Sequence, residues 1–404
     1  MATLLRARIA ELSLAIETQK QILRDLEKSR SDARRDLNAT LDPMARLPVE
    51  ISSDIFARCL PDSPRPHSGQ APMLFLNVCH LWRDIATSAS SLWTSIYCES
   101  STDTATLDNW LRRARSLPLH ISLPGDTRPD VAIVVNQHAH HLEVLELGFQ
   151  HLKDLVSPCP SLAKLTVINT VEPPTHRQCM DILHSAPALV ECEFISTHWQ
   201  DALPVEDTYT PEPFTHPVLR HLRLSAGRKA KSTNAAYMLE YLTLPALETL
   251  SVSDLDIMDD DFASFLTRSS PPLRSLHLGG LGDDDLVESF RLVPTVTDLS
   301  LKFTDTEIDP FLVLQDSVFA SDENLLPNLR NLRIRTSFRL HIDHELVISA
   351  LAARRASPHA QLESFMFLSL HPKPRPDITV ALRQLAEESG IHIHIGPTTE
   401  RNYI

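Results

Sequence analysis

The chain has 404 residues, 43% of them hydrophobic but only 6% aromatic, and a formal net charge of −14. That apolar content excludes wholesale disorder, and the length suits two or three compact domains or one repeat array with something attached. The acidic balance argues against a phosphate-tracking nucleic-acid surface, which needs a dense basic field.

The first predicted element is a helix over residues 1–42. Apolar or tolerated residues recur at alternating spacings of four and three: Leu5, Ile9, Leu12, Ile16, Gln19, Leu23, Leu26, Arg30, Ala33 and Leu37, with no glycine or proline before Pro43. This is a heptad seam, clean in its first half and weakened in its second by Gln19, Arg30 and Ala33. Two readings are open: a coiled coil that pairs two chains through residues 5–37, or an amphipathic helix folded back onto its own chain. Arg6, Arg8 and Glu11 interrupt what would otherwise be the apolar core of a signal peptide.

Residues 45–98 read as a small helical module. Pro48 stands where a helix starts, and Ile51, Ile55, Phe56 and Cys59 fall on one helical face behind it. The polar insert PDSPRPHSGQAP reads as an exposed loop. A second helix follows, with Phe75, Val78, Trp82, Ile85 and Ala89 as its apolar stripe and Leu92 and Trp93 just beyond a serine-rich break. About fifty residues are too few to hide Trp82, Trp93, Phe56 and Phe75 completely, so part of that surface is expected to meet a partner.

These residues resemble the F-box, whose usual form is Leu-Pro-x-Glu, Ile-Phe, Val-Cys-x-x-Trp-Arg-x-Ile-Ala and Leu-Trp. Here those places are held by Leu47, Pro48 and Glu50; by Ile55 and Phe56; by Val78, Cys79, Trp82, Arg83, Ile85 and Ala86; and by Leu92 and Trp93. The resemblance implies binding to a Skp-family adaptor, and through it to a cullin, with Leu47, Pro48, Ile51, Ile55, Phe56, Val78, Trp82, Ile85, Leu92 and Trp93 as the anchors. The plainer alternative is a three-helix packing unit whose tryptophans are simply core.

From about residue 115 to 404 one eight-residue phrase returns: HHLEVLEL, PSLAKLTV, PALVECEF, PVLRHLRL, PALETLSV, PPLRSLHL, PTVTDLSL, PNLRNLRI and AQLESFMF. Each has apolar residues at its third, sixth and eighth places, as in Leu219, Leu222 and Leu224. Apolar residues two apart share one face of a short strand, and the leading proline marks the turn into it. Between phrases lie helix-compatible stretches such as THRQCMDILHSA, STNAAYMLEYLT, DDDFASFLTRSS and DHELVISALAARR. LPLHISL and GIHIHIG look like further strands at the two ends. The pattern resembles the leucine-rich repeat, irregularly spaced and mostly without its usual asparagine, and implies an α/β fold in which a parallel sheet curves into a solenoid.

Enzyme signals are poor. LGGLGDDD lacks the last glycine of a dinucleotide turn, and Asp283, Asp284 and Asp285 would repel a phosphate, so these aspartates read as helix caps. DLDIMDDDF lacks the glycine and final glutamate of a calcium loop. His138, His140 and His141, and His392 and His394, have no cysteine or acidic residue spaced to complete a zinc site. The six cysteines form no C-x-x-C pair and read as reduced thiols. No cofactor, metal, membrane span or nucleic-acid partner is expected, and the protein is expected to be cytoplasmic or nuclear.

An F-box followed by leucine-rich repeats implies a non-catalytic substrate receptor of a Skp/cullin/F-box ubiquitin ligase. The rival is a repeat scaffold or dimeric interaction protein with a vestigial F-box and no link to ubiquitin. On either account the fourth, fifth and seventh places of each phrase face away from the apolar side. Arg220, Arg223, Arg274, His277, Arg330, Arg333 and Arg335 collect there, either for solubility or as a surface for an acidic or phosphorylated target segment.

Overall fold

A computed structural model describes residues 2–125, 128–148, 158–169, 176–196, 212–226, 237–253, 259–281, 287–303, 325–336, 344–356, 362–368 and 376–396. The chain is α/β, with a long N-terminal helix and a large parallel sheet, and it divides into two compact units. The first comprises Met1–Cys98 and Ala105–Leu119, the second Glu99–Thr104 and His120–Ile404.

In the first unit, helix α1 runs Ala2–Leu41, and ion pairs such as Arg8–Glu11 and Lys20–Glu17, both 2.8 Å, support its surface. Asp42 ends α1 and caps the short 3-10 turn Pro43–Arg46 by accepting from the Met44 N–H at 2.9 Å. Helix α2 follows at Val49–Arg58, behind Pro48. The second predicted helix is two: α3 (Phe75–Val78) and α4 (His80–Ser88), separated by Cys79 in an extended conformation. The break frees the Leu76 carbonyl, which accepts from the Arg83 guanidinium at 2.9 Å. The insert is mostly exposed, yet it is tied down: the Tyr97 N–H donates to the Pro64 carbonyl at 2.8 Å and Arg65 lies 4.8 Å from the Tyr97 ring.

The core of this unit is aromatic. Phe56 and Phe75 stack at 4.1 Å, Trp82 leans on Phe56 at 5.0 Å, and Trp93 meets Trp110 edge to face at 5.0 Å. Trp110 comes from helix α5 (Thr104–Ala114), which buries Leu107, Trp110, Leu111 and Ala114 at helical spacing. Phe56, Phe75 and Trp93 are thus covered within the chain, and of the four large aromatics only Trp82 stays partly open.

After strand β1 (Ser95–Tyr97), the second unit supplies β2 (Leu119–Leu123), β3 (Leu142–Gly148), β4 (Lys164–Asn169), β5 (Glu191–Ser196), β6 (Phe214–Thr215), β7 (His221–Ala226), β8 (Leu242–Thr243) and β9 (Thr249–Ser253). It continues with β10 (Ser275–Leu281), β11 (Asp298–Phe303), β12 (Asn331–Thr336), β13 (Ser364–Leu368) and β14 (His392–Gly396). The sheet order is β2-β3-β4-β5-β7-β9-β10-β11-β12-β13-β14, parallel from β3 onward, and β6 and β8 form a separate small pair. Every recurring phrase is one of these strands, and its third, sixth and eighth residues are buried, from Leu142, Leu145 and Leu147 to Leu362, Phe365 and Phe367.

Parallel strands need crossovers, and helices provide them: Pro129–Gln137, His176–Ser185, Asp259–Ser269, His344–Ala356 and Pro376–Ser389 bury residues such as Val131, Leu183, Phe265, Leu351 and Leu382. Three of them coincide with predicted helical stretches, and Tyr237–Tyr241 makes a shorter fourth. Asp261 lies in the first turn of Asp259–Ser269, where a carboxylate suits the positive end of the dipole. Asp283, Asp284 and Asp285 lie outside the described residues.

Strand starts share one backbone arrangement. From the second phrase to the eighth, the carbonyl of the fourth residue accepts two N–H groups from the next phrase: Arg220 from Glu248 and Thr249 (2.8 and 2.9 Å), Arg274 from Thr297 and Asp298 (2.8 and 3.0 Å), Arg330 from Glu363 and Ser364 (2.8 and 3.0 Å). The strands are thereby locked in register by groups that every residue type carries.

Candidate interaction surfaces

Two surfaces carry the residues singled out from the sequence. On the first unit the ten anchors separate. Leu47, Pro48, Ile51, Ile55 and Val78 are exposed, and Trp82 is half-buried. Phe56, Ile85, Leu92 and Trp93 are core, with at most 4% of their surface accessible, so their expected role as direct contacts is corrected to support from beneath. Ile51 and Ile55 lie one turn apart on α2, directly after Leu47 and Pro48.

Val78 and Trp82, with Leu41, Asp42 and Cys79, line a depression of about 330 Å³. Trp82 is fixed there because its indole N–H donates to Asp42 Oδ2 at 2.8 Å, and the Cys79 thiol donates to the same oxygen at 3.7 Å. Asp42 was not among the sequence candidates. Its visible signal is an aspartate just before a proline-led turn, a capping pattern that gives no hint of the tryptophan forty residues on. Trp93 is fixed by its indole N–H donating to the Ala86 carbonyl at 2.7 Å and by Arg113 over its ring at 4.4 Å.

Along α1 the seam residues Leu5, Ile9, Leu12, Ile16, Leu23, Leu26 and Leu37 are all exposed. The helix is not folded back onto its own chain through this seam.

The second surface is the polar side of the sheet. Register aligns the seventh phrase residues into one row: Glu146, Thr166, Glu193, Arg223, Ser251, His277, Ser300, Arg333, Met366 and His394. Of the predicted basic residues, Arg223, His277 and Arg333 stand in this row, whereas Arg220, Arg274 and Arg330 directly precede their strands. Arg220 pairs with Glu248 at 2.7 Å and Arg330 with Glu363 at 3.2 Å, each reaching a residue of the next phrase while staying exposed. Arg223, Arg274, Arg333 and Arg335 are exposed, with no ion pair among the described residues.

His277 sits between Arg223 and Arg333 in the row, and its ring meets the Ser275 hydroxyl at 3.0 Å. Burial, then the positive charge of Arg333, lowers its pKa; Asp298 opposes that shift and Arg223 adds to it. A cavity of about 370 Å³ opens where Glu191 and Glu193 meet Arg223 and His277. Glu191 and Glu193 were not among the sequence candidates.

None of the six cysteines forms a disulfide, and burial pushes the thiols of Cys98 and Cys159 up to about 12 and 11. Among the described residues no group of three His, Cys, Asp or Glu side chains could hold a metal ion, and no helix is long and apolar enough to cross a membrane. Neither a comparison with protein-family models nor one with curated proteins finds a match to this chain.

Proposed function

We propose that the chain is the substrate-recognition subunit of a Skp/cullin/F-box ubiquitin ligase, working in the cytoplasm or nucleus. The observation that carries this reading is the exposed apolar set Leu47, Pro48, Ile51, Ile55 and Val78 at positions the F-box resemblance assigns to adaptor contact. Apolar side chains clustered on a small unit mark an interaction site. The parallel sheet is read as a leucine-rich-repeat solenoid whose polar side captures a target and presents it for ubiquitin transfer by other subunits. The chain itself performs no bond chemistry.

A second copy of the chain covers the seam of α1. Ile9 and Ile16 occupy one seam column and Leu5, Leu12 and Leu26 the other, the distribution that favours a parallel two-stranded coiled coil. Each assembly would then hold two receptors.

The test is co-purification of the full chain with a Skp-family adaptor and cullin, followed by titration with the adaptor. Leu47→Ala combined with Pro48→Ala should weaken the complex about tenfold or more, since central interface residues carry about 2 kcal/mol each. An unaltered chain that binds no adaptor overturns the ligase reading and leaves the dimeric scaffold.

A further inference from the structure

The polar side of the sheet is divided by sign. Glu146 and Glu193 lie over β3 and β5, and Arg223 and Arg333 lie over β7 and β12, in one continuous row. In the neighbouring fourth- and fifth-place rows several charged and polar side chains pair across strands, although Arg274 has no ion pair among the described residues. There Lys164 pairs with Glu191 at 2.6 Å, Arg220 with Glu248 at 2.7 Å, and the Asn331 amide donates to Asp298 at 2.7 Å. In the seventh-place row the charges stay open. Glu193 and Arg223 are register partners on adjacent strands, yet neither has an ion pair among the described residues. The cavity of about 370 Å³ lies at that boundary.

We propose that this row binds one extended protein segment of mixed sign, with lysine or arginine over Glu146 and Glu193 and a run of carboxylates over Arg223, His277 and Arg333. The proposal rests on the target-capture reading above and specifies the ligand. A single phosphate needs several donors converging on one point. Arg223 and Arg333 are four strand steps apart, about 19 Å at about 4.8 Å per step, so they suit spaced carboxylates instead. From Glu193 to Arg333 is about 24 Å, which an extended chain crosses in about seven residues.

The experiment uses the full chain and fluorescent synthetic peptides: a lysine block followed by a glutamate block, an all-glutamate peptide, an alternating Lys/Glu peptide, and a lysine block followed by one phosphoserine. The Lys-block/Glu-block peptide should bind about tenfold tighter than the all-glutamate and alternating ones, the scale of one close charge pair. Glu193→Lys should erase that preference, and Arg223→Glu with Arg333→Glu should abolish binding, with melting curves checking that both variants are folded. If the all-glutamate peptide binds equally well and ignores Glu193→Lys, the mixed-sign proposal is overturned while acidic capture stands. A phosphoserine peptide that binds tightest overturns the carboxylate run. Binding of no peptide at low salt overturns both this proposal and acidic capture.

Discussion

Replacing Ile9 and Ile16 by lysine should convert a dimer into a monomer. These side chains are 63% and 53% exposed on α1, so more than half of each remains to be buried by a partner helix. Full burial of such a side chain is worth about 1.5–3 kcal/mol, and scaling by the exposed fraction leaves about 1–2 kcal/mol each. Four copies in a two-stranded dimer give about 4–7 kcal/mol, or a rise in dissociation constant of roughly a thousandfold or more. Leu14 supplies the control, because it is 73% exposed but lies off the seam. Sedimentation equilibrium at micromolar concentration should show a dimer for the unaltered chain and for Leu14→Lys, and a monomer for the double variant. A monomeric unaltered chain, or equal effects of Leu14→Lys and the double variant, would refute the seam as the interface.

Asp42→Ala removes both the cap of the Pro43–Arg46 turn and the acceptor of the Trp82 indole. It should destabilise the first unit by about 1–3 kcal/mol, red-shift tryptophan emission and speed hydrogen exchange across residues 43–98; unchanged exchange there would contradict the anchoring role. The lowered pKa of His277 keeps the imidazole neutral at neutral pH. Because the unfolded chain takes up that proton first, stability of the second unit should decline as pH falls through the ordinary histidine range. A carboxylate seated over His277 favours its charged form, so the Lys-block/Glu-block peptide should bind more tightly on mild acidification. His277→Gln should remove most of that dependence, although His221 lines the same cavity and Asp298 is close; a variant with the original pH profile would rule His277 out.

Much of the second unit was legible because its signals are local. The proline that opens most phrases and the apolar third, sixth and eighth residues specify a strand within eight residues, and the structure has a strand at each. The α1 seam was legible for the same reason, but whether it faced its own chain or solvent depends on where the other helices go. What the sequence concealed was long-range. The extended Cys79 and the seating of Trp82 depend on Asp42, and the cover of Trp93 comes from Trp110 on a helix outside either motif. Ion pairing of Arg220 and Arg330 is set by which residues come opposite on the next phrase, and the partners are 28 and 33 positions apart in sequence. The phrase pattern says nothing about those neighbours.

The paired N–H groups converging on the fourth-residue carbonyls of the second to eighth phrases separate the code for shape from the code for surface charge. Main-chain atoms fix the strand starts, and buried leucines fix the inner side, so the outward residues are under little architectural demand. Changing the charge of that surface is then a matter of editing one row at a time. Exchanging Glu248 and Arg220, for example, rewrites local charge while the two N–H groups that meet at the residue 220 carbonyl remain in place. A lineage could rewrite its outward charges through folded intermediates at every step.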